Sequence, residues 1–105
     1  MEIVVYYTTS LVKQEFKSNV LVLERFANAF YSNTSMKKTH LHLASRLRWD
    51  SFNTYLEWLL SKNYVERFID DGKEKYQLTE KGREMFSRLL EFLECVKLNK
   101  SINVL

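Results

Sequence analysis

Residues 65–82, "VERFIDDGKEKYQLTEKG", decide how this chain is organised. Two strand-like runs, 65–69 and 75–78, flank Asp71-Gly72, a pair whose glycine can take the positive φ of a tight hairpin turn. Alternation is clean in the second arm, where Tyr76 and Leu78 point one way and Lys75 and Gln77 the other. Adjacent Phe68 and Ile69 break it in the first arm and leave that register open. Thr79 suits the N-cap of a last helix over about 80–98. Gly82 stands in the first turn of that helix at a cost of about 1 kcal/mol against Ala. Nothing local favours it, so it implies close packing of the helix. An isolated two-stranded hairpin is marginal in water, so the rest of the chain must hold this one.

Upstream, Asp50 or Ser51 can cap a helix whose apolar stripe is Phe52, Tyr55, Leu56, Leu59 and Leu60, with Lys62 and Asn63 at its end. A shorter helix is expected over 37–45, with Leu41 and Ala44 on its buried side and "RLRW" as a brief connection. From Asn19 the residues Val20, Leu23, Phe26, Ala27 and Phe30 recur at helical spacing, with Ser18 or Asn19 as cap and "YSNTS" as terminator. Residues 2–9, "EIVVYYTT", read as a strand. The fold class is therefore mostly α with a small β element. Three helices form a core and a hairpin closes it as a wing, followed by a long C-terminal helix.

The 105 residues suffice for one domain, and 46% hydrophobic with 28% charged content is ordinary for a globular chain. No apolar run approaches the roughly 20 residues of a membrane span. The N-terminal "MEIVVYYTTS" lacks a basic region and a cleavage site, so neither membrane association nor a signal peptide is expected. Cys95 is the only cysteine, which rules out an intramolecular disulfide and fits a reducing cytosol. With two glycines and no proline, Gly-rich catalytic loops are hard to build, and no HExxH, GxSxG or nucleotide fingerprint occurs. No enzyme activity, cofactor or small-molecule substrate is expected. His40 and His42 lie about 200° apart on a helix and cannot share an ion, so no metal is expected either.

Charge placement says more than the net +3. Between Glu24 and Asp50 there is no acid, whereas Arg25, Lys37, Lys38, Arg46 and Arg48 all fall there. Such a stretch suits an anionic partner.

The segments "KKTHLHLASRLRWDSFNTYLEWLLSKNYVERF" and "KYQLTEKGREMF" resemble the archaeal winged helix-turn-helix proteins, in particular the small chromatin-associated type. Thr39 after basic residues, Leu47, Tyr55-Leu56, Leu59 and the "LTEKG" of 78–82 carry the resemblance, which spans roughly 18–98. It implies double-stranded DNA as partner, a homodimer paired through the last helix, and a cytoplasmic, nucleoid-associated regulator or chromatin factor. His40 departs from the pattern, standing where relatives often carry a stronger cation. In such folds a third short strand commonly joins the wing, and "MKKT" near 36–39 or the N-terminal segment could supply it here.

In a helix-turn-helix the second helix enters the major groove, here the one expected over 50–62. Ser51, Asn53 and Thr54 lie off its apolar stripe and are candidates for bases or phosphates. Arg46 and Arg48 just before it, with Lys37, Lys38 and His40 on the preceding helix, are candidates for phosphates. On the wing, Lys73 and Lys75 stand beside Asp70, Asp71 and Glu74, which repel the same groups, so Arg67 is the better wing cation. Phe86, Leu89, Leu93 and Val96 repeat with the rhythm of a helix pair, a face that the first helix of the same chain could also cover. Leu90 and Phe92 widen the stripe beyond what one helix can satisfy, so Phe86, Leu89, Leu90, Leu93 and Val96 are the expected dimerisation residues, with residues 3–7 as a second contributor. The expected division is an extension over 1–17, the winged domain over 18–79, and a dimerisation helix and tail over 80–105. A protein-binding module of the same shape is the alternative, favoured by Glu57, the acidic wing tip and Trp58, which fits an exposed anchor and burial against the wing equally well.

Overall fold

The computed structural model describes residues 16–104, with side chains from Phe16 to Lys97; the strand expected over 2–9 lies outside them. Helices α1 (Val20–Ser32), α2 (Lys38–Ser45) and α3 (Trp49–Ser61) precede strands β1 (Val65–Asp70) and β2 (Lys73–Leu78), and α4 (Glu80–Val104) follows. None of the described helices is long and apolar enough to cross a membrane.

Local chemistry sets the boundaries. Asn19 caps α1, its Oδ1 accepting from the Leu21 N–H at 2.8 Å. The Asn19 N–H donates to the Tyr55 hydroxyl at 2.8 Å and so ties the start of α1 to α3. Helix α3 ends on Asn63 in the left-handed region, φ 64°. The Asn63 N–H donates to Leu60 O and the Tyr64 N–H to Leu59 O, the paired closure of a Schellman motif. Asp71 and Gly72 both have positive φ, 55° and 75°, in the two-residue turn between β1 and β2. That is the primed turn whose twist matches the flanking strands.

The hairpin register, Val65↔Leu78 through Asp70↔Lys73, resolves the ambiguity in the first arm. Val65 faces the core with Tyr76 and Leu78, Phe68 lies on the opposite face, and Ile69 reaches past the core into solvent. A third short strand element is present. Met36 and Tyr76 exchange backbone hydrogen bonds at 3.0 and 2.8 Å, so the stretch before α2 adds to the wing as anticipated.

The core joins all the elements: Phe26 and Phe30 of α1, Leu41 of α2, Phe52, Leu56 and Leu59 of α3, Val65, Tyr76 and Leu78 of the wing, and Phe86 of α4. Thr79 holds the seam between wing and last helix. Its Oγ1 accepts from the Gly82 N–H at 2.9 Å and donates to Asn63 O at 2.5 Å. A Cβ on Gly82 would lie 1.8 Å from the Tyr64 carbonyl oxygen, which is the close packing its position implied. The wing is held at its base by this contact and by its apolar face, while the turn residues at its tip are exposed.

Candidate nucleic-acid interface

Helices α2 and α3 begin in an unusual way. Their N-caps are Lys37 and Arg48, both extended, and neither makes a side-chain cap to the first turn. The first N–H groups of a helix have no partner within it and carry its positive dipole end. A cation at that position is mildly unfavourable for the protein alone and favourable for a bound anion. Asp50, expected as a cap, lies instead within the first turn of α3. The side-chain pattern suggested Asp50 or Ser51 because those residue types favour caps. The helix starts earlier, since Trp49 already packs on Phe52, with ring centroids 5.6 Å apart.

The turn between α2 and α3 is tightly fastened. Arg46 takes φ 56°. The buried Ser45 hydroxyl donates to His42 O at 2.7 Å and accepts from the Leu47 N–H at 3.3 Å. Arg25, reaching across from α1, donates from Nη1 to Ser45 O at 2.9 Å. The His42 Nε2 lies 2.8 Å from Leu47 O, and since a carbonyl only accepts, that nitrogen carries the proton. His42 also packs edge-on to Trp49, with centroids 4.9 Å apart. Its role is to brace the turn.

The expected phosphate contacts separate into two groups. Lys38 places its Nζ 5.2 Å from the centre of the Trp49 ring, which brings the start of α2, capped by Lys37, close to the start of α3, capped by Arg48. His40 and Arg46 line a cleft of about 310 Å³ between α1 and α2, together with Arg25 and Asn28. Ser51 and Thr54 are exposed on α3 and Asn53 is half-buried. Thr54 already donates its hydroxyl back to Asp50 O at 3.1 Å. Arg25 and Trp49 stand beside these candidates although neither is among the expected contacts. In the sequence Arg25 stands out only as one of five cations in an acid-free stretch, and Trp49 falls in the short connection.

On the wing, two of the three candidate cations are engaged internally. Arg67 Nε lies 3.8 Å from Glu74 Oε2, and Lys75 Nζ donates to Asp70 Oδ2 at 2.9 Å. Lys73 sits exposed beside the turn. Burial pushes the Tyr76 phenol above its usual range, and the nearby Glu74 carboxylate adds to that shift.

Trp58, the anchor of the protein-binding alternative, is half-buried, packing against Phe16 at 5.5 Å and Tyr64 at 5.8 Å between ring centroids. It offers little free surface. On α4, Phe86 is 0% exposed in the core of its own chain and has no surface left for a partner, which corrects its place on the pairing stripe. Leu93 is buried, and Leu89 and Leu90 are half-buried against the core. Phe92 and Val96, one helical turn apart, are exposed at 58% and 42%. The stripe pointed to Phe86 because spacing cannot tell a helix's own core face from the face beside it. Helices α1 and α4 meet through Lys97 Nζ on Glu24 Oε2 at 3.2 Å and Tyr31 Oη on Arg83 O at 3.2 Å.

Comparison with known proteins places this geometry. A family profile described as winged helix-turn-helix matches residues 29–97. An uncharacterized protein of Methanocaldococcus jannaschii is 35% identical over 57 residues, covering 54% of this chain and 55% of that protein, so the match spans about half of the relative's length. Among solved structures, Sso10a-2, a DNA-binding protein from Sulfolobus solfataricus, superposes with a TM-score of 0.68 at 14% identity, covering 83% of this chain and 90% of its own. A MarR-family transcriptional regulator from Silicibacter pomeroyi superposes with a TM-score of 0.61 at 19% identity, covering 70% of this chain and 51% of its own. At those identities the likeness is one of fold.

Proposed function

Because the chain belongs to the winged helix-turn-helix family, we propose that it binds double-stranded DNA as a homodimer and acts as a transcriptional regulator or chromatin-associated factor. One observation carries the reading: both helices of the motif start with a cation in the cap position and leave their first-turn N–H groups open to an anion. A DNA-binding protein and a transcriptional regulator share the fold.

In this reading α3 lies in the major groove, where Ser51 and Asn53 reach base edges and Thr54 a base or phosphate. Arg48, Lys37 and Lys38 neutralise phosphates at the leading helix ends, and Arg46 with His40 does so from the α1–α2 cleft. Arg67, Lys73 and Lys75 contribute peripherally, because carboxylates beside them offset their charge. The protein works by binding, with no reaction of its own, and is nucleoid-associated in the cytoplasm. The extension of 1–17 and the winged domain of 18–79 are followed by an 80–105 segment that walls the core through Phe86 and pairs through Phe92 and Val96, flanked by Leu89, Leu90 and Leu93.

Fluorescence anisotropy of a labelled duplex at several salt concentrations tests the DNA reading. Log affinity should fall linearly with log salt by about 0.9 for each phosphate neutralised. Arg46→Ala with Arg48→Ala should lower the affinity about tenfold or more and shallow the slope by about 2, with the circular dichroism spectrum unchanged. An unaltered affinity would place the DNA surface elsewhere. For the dimer, Phe92→Asp with Val96→Asp should sediment as a folded monomer at concentrations where the wild-type chain is dimeric. If the double variant still sediments as a dimer, the pairing surface is not this face of α4.

A further inference from the structure

Trp49 is a large aromatic residue that the packing holds in place without covering. It is the first residue of α3 and remains 46% exposed. Phe52, one turn on, is fully buried against Phe26 and its core neighbours, so the core is closed behind Trp49. The ring is fixed on several sides: by the edge-on His42 imidazole at 4.9 Å, by Phe52 at 5.6 Å, and by the Lys38 ammonium at 5.2 Å. His42 is itself tied to Leu47 O in the turn. An aromatic side chain held this way loses little conformational freedom when a partner covers it. The other tryptophan, Trp58, packs between Phe16 and Tyr64 and leaves no comparable surface at the helix front.

We infer that Trp49 is a specificity-determining residue whose exposed indole covers thymine methyl groups in the major groove. The inference rests on the DNA-binding reading and adds base preference to it. At the leading turn of a groove-entering helix, side chains meet base edges. The one alkyl group on those edges is the C5-methyl of thymine, which offers more apolar area than the C5–H of cytosine; the polar groups presented there are hydrogen-bond donors and acceptors. The exposed part of the indole has apolar area to match to that methyl. With the ammonium of Lys38 beside the ring, a backbone phosphate near the same base would add attraction without selectivity. The preference that follows is for thymine-containing sequence at the front of α3.

The direct test compares two alternating duplexes of identical sequence, one with thymine and one with deoxyuridine, which differ only in the C5-methyl groups. The wild-type protein should bind the thymine duplex about fourfold more tightly for each methyl covered. Trp49→Ala should bind both equally, and Trp49→Phe should keep part of the preference. In a Trp58→Phe background, emission from Trp49 alone should change when the thymine duplex is added. Circular dichroism identifies any variant that fails to fold. Equal binding of the two duplexes by the wild-type chain, or a preference surviving in Trp49→Ala, would overturn the inference and leave DNA binding intact. Absence of binding to either duplex at low salt would overturn both.

Discussion

Helices α1 and α4 open differently from α2 and α3, and the difference separates support from function. Asn19 and Thr79 cap the first pair with side-chain oxygens that accept first-turn N–H groups. Lys37 and Arg48 head the second pair without such bonds. A capped helix satisfies its own end, while an uncapped one with a cation gives up about 1 kcal/mol of stability and gains an anion site. The two capped helices hold the core and the seam with the wing. The two open ones lie together at the turn braced by Ser45, Arg25 and His42.

Exchanging the two kinds of helix start would break this comparison most sharply. Arg48→Asp supplies the missing cap and removes the charge, so urea unfolding should show a gain of about 1 kcal/mol. The same variant should bind duplex DNA about tenfold more weakly or worse. A variant that is both more stable and equally tight would show that the open start of α3 has no part in binding. Thr79→Ala should act in the opposite sense, losing about 1 kcal/mol of stability with the cap and leaving the DNA salt slope unchanged. The smallest expected effect concerns the wing. Glu74→Gln releases Arg67 from its partner 3.8 Å away and should tighten DNA binding about twofold, with a steeper salt slope. No change there would mean that the wing stays clear of the phosphates even with its charge freed.

Much of this fold was legible because its signals are local. Asp71-Gly72 allows few turns other than a primed one, and Thr79 followed by Gly82 marked both a cap and a close approach that the Tyr64 carbonyl explains. Other features depended on what lies across space. The start of α3 was placed at Asp50 because an Arg N-cap runs against the general preference, and only the packing of Trp49 on Phe52 and His42 shows the earlier start. Phe86 fits a pairing stripe by spacing, yet it is the neighbouring Phe92 and Val96 that remain exposed. The sequence also suggested a wing tip weakened by its acids, and the Arg67–Glu74 and Lys75–Asp70 pairs give that a geometry. The sequence leaves Trp58 open between an exposed anchor and a buried ring, and only the packing of Phe16 and Tyr64 against it decides.

Amide chemical-shift mapping during titration with a short DNA duplex addresses the central proposal most directly, because it locates the contact residue by residue. If the open starts of α2 and α3 hold the DNA, the largest shifts fall at residues 37–38 and 46–54, with weaker ones at the wing tip around 70–75. Shifts centred on the wing tip or on the exposed face of α4, with the starts of α2 and α3 unmoved, would contradict it.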